Sequence, residues 1–363
     1  MKLKITIICI TTIAFFLFSC SEENNEDDLS SIEYKPKAFA ISLPSHFPPL
    51  TSPADNPLTV QGIQLGKHLF YDPILSADST MSCSTCHLPE FAFTDAKAFS
   101  KGIDGISGAR SSMSLINVGF IRSGLFWDGR VKTLEEQALL PIEDPIELHH
   151  TWPEVIKKLK THAVYPTMFR EAFGISNSSE ISKELAAKAI AQFERTIISK
   201  DSKFDRIQAG KDFYSDLELI GLGLYFDDDP DLPDTECGHC HNIPLATSDD
   251  FFNNGITASV SLDAFPDAGR GKVTGSRADN GKFRAPTLRN ISNSAPYMHD
   301  GRFKTLDEVI AHYNSGGKPS PNADPLLRPL KLDAFYVKAL KAFIETFNDT
   351  LFYKNPELKN PFR

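Results

Sequence analysis

Four of the six cysteines stand in two tight pairs, Cys83-Ser84-Thr85-Cys86-His87 and Cys237-Gly238-His239-Cys240-His241. Both have the spacing C-x-x-C-H, the attachment signature of c-type haem. Two thiols one helical turn apart can both reach the vinyl groups of one haem, and the next residue can turn an imidazole onto its iron. His87 and His241 are therefore the expected proximal ligands. Zinc is the competing chemistry, because four thiolates and neighbouring imidazoles could fill tetrahedral sites. Zinc clusters normally pair at short range, however, and these two stand far apart in the chain. An exported protein would ordinarily spend its cysteines on long-range disulfides, and the two outside these motifs, Cys9 and Cys20, belong to the N-terminal signal.

The elements around the two motifs repeat. After the first come Ser114-Leu115-Ile116-Asn117 and Trp127-Asp128-Gly129-Arg130-Val131-Lys132-Thr133-Leu134-Glu135-Glu136. After the second come Thr287-Leu288-Arg289-Asn290 and His299-Asp300-Gly301-Arg302-Phe303-Lys304-Thr305-Leu306-Asp307-Glu308. In each copy Asp-Gly marks a turn. Thr133 with Glu136, and Thr305 with Glu308, form capping boxes that start a helix. Apolar spacing predicts further helices over Glu154–Lys160 and Ser182–Ile198. Asp227–Asp234 and Asp263–Asn280 read as surface loops, and little alternates like a strand. The expected fold is mainly α, with two tandem cytochrome c-like haem domains and long loops.

At the N-terminus, Lys2 and Lys4 precede an apolar run from Ile5 to Phe18, too short to span a bilayer comfortably. Leu17-Phe18-Ser19-Cys20 is similar to a bacterial lipoprotein cleavage box, with Cys20 as the lipidated residue. The organisation read from these signals is a signal peptide over 1–19 and a disordered acidic tether over 20–40. An N-terminal haem domain over 41–205 and a C-terminal one over 206–363 follow. The protein is expected to be exported, periplasmic or at the cell envelope, and lipid-anchored through Cys20. A net charge of −9 argues against nucleic acid and anionic membrane surfaces as partners and suits a basic partner such as a small electron-donor cytochrome.

From Leu65-Gly66-Lys67-His68-Leu69-Phe70-Tyr71-Asp72 to Tyr313 the sequence resembles the bacterial di-haem cytochrome c peroxidase superfamily, in its MauG-like branch. Phe126-Trp127-Asp128-Gly129-Arg130, Ala295-Pro296-Tyr297-Met298-His299-Asp300-Gly301 and the two C-x-x-C-H motifs carry the resemblance. It implies two covalently bound c-type haems. Peroxide would react at the N-terminal haem on His87, and electrons from a small cytochrome would enter by the C-terminal haem on His241. Trp127 matches a tryptophan between the haems, and Gln137 and Glu147 match a distal glutamine and glutamate. A positioned carboxylate can shuttle the proton that O–O heterolysis needs. A calcium ion held near Ser111, Ser294 and Pro296 and a homodimer belong to the same set of expectations. Ser111 replaces the usual asparagine, which weakens calcium ligation from that side.

Two departures bear on the chemistry. Phe91–Asp95 and Lys97–Gly108 lack the histidine that caps the peroxidatic iron in many relatives, so this haem is expected to be open at rest. The position fourteen residues beyond His299 is Tyr313, where simple peroxidases carry methionine and MauG-type proteins a tyrosine ligand; Met298 is the rival ligand. His312 is expected to point off the face that carries Tyr313. His46, His68 and His162 read as structural or surface residues. The leading expectation is a peroxidase reducing hydrogen peroxide to water. The alternatives are a MauG-like oxidase that modifies a partner protein through high-valent iron, and a non-enzymatic di-haem electron carrier.

Overall fold

A computed structural model describes residues 27–363, so Cys20 and the leader lie outside the described residues. Twelve α-helices dominate the described residues. The first six are α1 (Val60–Tyr71), α2 (Cys83–Cys86), α3 (Leu134–Glu143), α4 (Trp152–Thr161), α5 (Tyr165–Phe173) and α6 (Lys183–Glu194). Then follow α7 (Lys203–Gln208), α8 (Asp216–Phe226), α9 (Cys237–Cys240), α10 (Arg270–Thr274), α11 (Leu306–Asn314) and α12 (Ala334–Glu345). The one sheet among the described residues pairs β1 (Phe251–Phe252) antiparallel with β2 (Phe283–Arg284). No helix of the described residues is long and apolar enough to cross a membrane.

Each half is built on one close helix pair. In the first, α1 crosses α6, and a Cβ on Gly66 would lie 1.8 Å from the Ala189 carbonyl oxygen. In the second, α8 crosses α12, and a Cβ on Gly221 would lie 2.1 Å from that of Ala339. Only glycine lets the backbones approach this far. The first half buries Leu65, Leu69, Phe70, Phe169, Ala186, Ile190 and Phe193, and the second buries Phe204, Leu224, Tyr225, Leu340, Phe343 and Phe347. Burial on this scale, at ~25 cal/mol per Å² of apolar surface, is what holds these helices in place.

The repeat is visible in backbone conformation. Asn117 and Asn290 both take left-handed φ (58° and 57°), as do Phe126 and Met298 (64° and 75°). Leu125 bridges Val131 as Tyr297 bridges Phe303. Capping boxes at Thr133/Glu136 and Thr305/Glu308 open α3 and α11 as expected.

Three expectations need correction. The acidic tether does not extend through residues 27–40: the Leu29 N–H donates to Ser176 O at 2.9 Å, and the Leu29 side chain is buried in the first core. One apolar side chain with a backbone partner outweighs the acidic composition there. The Asp263–Asn280 stretch is not loop throughout, since it contains α10. The chain beyond Asp349 also returns to the first half. Phe352 and Leu358 join the core around Phe70 and Phe193, and the Leu358 carbonyl accepts from the Tyr71 hydroxyl. A boundary at residue 205 did not foresee this return.

A buried ion pair ties the strand of chain between the halves. Arg289, fully buried, donates to both oxygens of Asp205 at 2.7 and 2.8 Å, and His46 Nε2 meets the same carboxyl at 2.9 Å. Burial alone would raise the Asp205 pKa; the guanidinium outweighs it and holds the carboxyl below its ordinary value. His46 is thus structural, as expected.

Candidate functional site

Both C-x-x-C-H motifs form a single helical turn with the histidine closing it: the His87 N–H donates to Cys83 O at 3.1 Å and the His241 N–H to Cys237 O at 3.0 Å. The four thiols are unpaired with one another. His87 Nδ1 is held by the Phe93 carbonyl at 2.8 Å, and His241 Nδ1 by the Pro286 carbonyl at 3.0 Å. A backbone carbonyl on Nδ1 fixes the tautomer and leaves Nε2 for a metal. Burial depresses both imidazoles, His241 down to about 4, so both stay neutral, the form that ligates iron.

Cys83, Cys86 and His87 open onto a cavity of about 1020 Å³ that Trp127, Gln137, Pro141, Glu147 and Glu194 also line. This lies at the upper end of cofactor-sized sites, ~300–1,000 Å³. The remaining wall is largely apolar, with Leu115, Val118, Leu134 and Ile142 among its members. Size, thiol pair, free imidazole nitrogen and apolar wall all fit a covalently attached haem.

The wall opposite the motif has its own construction. The capping box fixes the start of α3, and Gln137 and Pro141 then fall one turn apart on it. Glu147 follows in the loop after α3. Burial, reinforced by Asp144 and opposed by Arg130, pushes its carboxyl up to about 7. The Glu147 carbonyl accepts from the Ile103 N–H at 3.0 Å, and a Cβ on Gly102 would stand 2.5 Å from that carbonyl oxygen. The 102–106 loop is therefore pressed against the catalytic candidate.

Glu194 escaped the sequence reading. It is 4% exposed, burial pushes its carboxyl up to about 8, and its Oε2 has no hydrogen-bond partner. Its position at the end of Ala189-Ile190-Ala191-Gln192-Phe193, apolar except for Gln192, was the available signal. His149 and His150 do not line the cavity; His149 is exposed and pairs with Asp104 at 2.5 Å.

Between the halves, repeat counterparts pair reciprocally. The Ser111 N–H donates to His299 O at 2.7 Å, and the N–H of its counterpart Arg284 donates to Trp127 O at 2.9 Å. Trp127 and its counterpart His299 meet edge to face with ring centres 6.5 Å apart. The Trp127 indole donates to Ser111 O at 2.9 Å, and Phe283 stacks on His299 at 3.6 Å. Arg110 bridges Asp128 and Asp267 at 2.7 and 2.8 Å. Of the positions named for calcium, Ser111 is engaged with Met298 and His299, and the Ser294 hydroxyl donates to Ile291 O at 3.2 Å.

Both candidate ligands of the second site converge on one amide: Asn254 Nδ2 donates to the Tyr313 hydroxyl at 3.1 Å and to Met298 Sδ at 3.4 Å. Burial pushes the Tyr313 phenol up to about 12. His312 is the neighbour of Tyr313 on α11. It is buried, and its Nε2 bonds the Asn254 carbonyl at 2.9 Å. The repeat register adds a contrast that the sequence reading did not draw. The first-copy counterparts of Met298 and Tyr313 are Phe126 and Pro141, both lining the large cavity and neither able to ligate iron.

The sequence profile of the di-haem cytochrome c peroxidase family matches residues 60–213. The chain is 33% identical over 346 residues to cytochrome-c peroxidase IdrP1 of Denitromonas iodatirespirans, covering 87% of this chain and 89% of that one. It is 32% identical over 302 residues to methylamine utilization protein MauG of Methylophilus methylotrophus, covering 82% and 86%. The crystal structure of a MauG-like protein associated with microbial copper homeostasis superposes with a TM-score of 0.81 at 34% identity, covering 90% of this chain and 100% of that one.

Proposed function

The chain belongs to the di-haem cytochrome c peroxidase family, an oxidoreductase family whose members carry two c-type haems; from that premise we propose that it reduces hydrogen peroxide to water. In this reading two tandem cytochrome c-like domains each hold one haem. Cys83, Cys86 and His87 bind the one at which peroxide reacts, and Cys237, Cys240 and His241 the one by which electrons enter. The haems supply the redox chemistry, two electrons and two protons per peroxide giving two waters.

The observation that carries the proposal is Glu147, a half-buried carboxyl poised at about 7 in the same cavity as His87. As a carboxylate it takes the proton from one peroxide oxygen, and as an acid it returns that proton to the other, the departing one. Gln137, on the same wall, offers amide N–H groups that orient the peroxide. Phe126 and Pro141 line the cavity without a metal-binding atom, which would leave room there for substrate. Trp127, against His299 at the seam, is the candidate electron relay between the halves. Electrons would come from a small cytochrome-like donor, whose basic surface the acidic chain suits. An export signal and lipidation at Cys20 would put this exchange at the cell envelope.

A MauG-like oxidation of a partner protein is the second reading, favoured by Tyr313 beside Asn254 and by the MauG-like relatives. Peroxide turnover by the holoprotein with a reduced small cytochrome separates the two. Continuous oxidation of the cytochrome supports the peroxidase. Consumption of a single peroxide equivalent without turnover refutes it and leaves the oxidase.

A further inference from the structure

Asn254 lies just beyond β1, in no motif of the repeat. Its side-chain amide nitrogen has two N–H bonds and spends them on Tyr313 and Met298, at 3.1 and 3.4 Å. Its backbone is immobilised from both sides. The carbonyl is bonded by His312, the neighbour of Tyr313 on α11. The preceding residue, Asn253, is 1% exposed, and its Nδ2 donates to Ser320 and Asn322 at 2.9 Å each. The backbone that carries this amide is thereby held in place between its two partners.

We propose that Asn254 is a positioning residue that selects Tyr313 over Met298 as the sixth ligand of the second haem and holds the methionine in reserve. This rests on the reading that these two side chains compete for that iron. The reason is the difference between the acceptors. A thioether sulfur accepts an N–H weakly. A phenol oxygen accepts well, and better still when it carries the negative charge of a metal-bound ligand. One fixed donor aimed at both atoms therefore favours the oxygen. Without it, the neutral, soft methionine regains the site.

The test uses the oxidised two-haem holoprotein, read by electron paramagnetic resonance and by visible spectroscopy. The low-spin signal should change in Tyr313→Phe and stay in Met298→Leu. Asn254→Leu should raise the methionine-ligated fraction by about tenfold or more, the worth of one hydrogen bond to a charged group. A far-red methionine–iron band should then appear and vanish again in the Asn254→Leu/Met298→Leu double variant. Asn254→Asp keeps the size and replaces the donor with an acceptor, so it gives the same outcome should the leucine variant fold poorly. If Tyr313→Phe alters the signal but Asn254→Leu and Asn254→Asp both keep the wild-type spectrum, Asn254 has no selecting role. A signal indifferent to both Tyr313→Phe and Met298→Leu overturns the ligand reading itself, and the selection with it.

Discussion

Glu147→Gln is the substitution on which the proposed chemistry turns. The glutamine keeps the shape and removes the proton acceptor. General acid–base catalysis contributes ~10²–10⁴-fold, or about 2.7–5.4 kcal/mol of barrier. With the carboxyl poised at about 7, the rate of peroxide reaction in the wild type should climb through roughly pH 6–8 and level off above, as the base form fills. Stopped-flow mixing of oxidised holoprotein with peroxide, followed at the Soret band across pH, measures both features. The variant should lose ~10²–10⁴-fold at pH 8 and show no limb. A control separates chemistry from folding. A carboxyl whose pKa is raised from 4.5 to about 7 by burial costs stability as pH rises through that interval, and the cost is fully present above it. The variant should therefore melt no lower than the wild type at pH 8. A variant with wild-type rate, or one that keeps the limb, would refute the assignment of Glu147.

Gly102→Ala should push the Glu147 backbone outward, because the new Cβ would meet the Ile146 and Glu147 carbonyl oxygens at 2.3 and 2.5 Å. The peroxide rate should fall with the spectra of both haems unchanged; an unaffected rate would show that the loop yields freely. Pro141→Tyr places a phenol where the second copy carries Tyr313, and the high-spin signal of the first haem should diminish; its persistence would break the equivalence of the two walls. Glu194→Gln removes a buried carboxyl raised from 4.5 to about 8, whose cost grows as pH rises through that window. The variant should gain up to a few kcal/mol at pH 9 over its difference at pH 5, and equal melting shifts at both pH values would contradict this. Arg289→Met strands the Asp205 carboxylate and should cost ~3–5 kcal/mol in denaturant titration; a loss under about 1 kcal/mol would mean that water reaches Asp205.

What the sequence made legible follows from how local each determinant is. The two attachment turns, the capping boxes at Thr133 and Thr305 and the Asp-Gly turns are each decided within a few residues, and each appears where its motif stands. Over residues 27–40 the tether expectation failed because disorder was inferred from composition, whereas Leu29 is held by a core formed much later in the chain. Glu194 was missed for the related reason that helix periodicity marks a buried face without showing that its acidic member stands unpartnered at the cavity. Asn254 belongs to no pattern, and its importance lies only in what converges on it. The repeat was legible as sequence, but its reciprocal closure, Ser111 on His299 and Arg284 on Trp127, depends on how two distant segments meet. That closure makes the difference between the copies informative. The backbone conformations match at Asn117 and Asn290 and at Phe126 and Met298, so one scaffold presents the same two positions to each haem site. In one copy they are Phe126 and Pro141, and in the other Met298 and Tyr313. On the proposed ligand reading, an open iron and a closed one would require no different fold, only two side chains without a donor atom exchanged for two that have one.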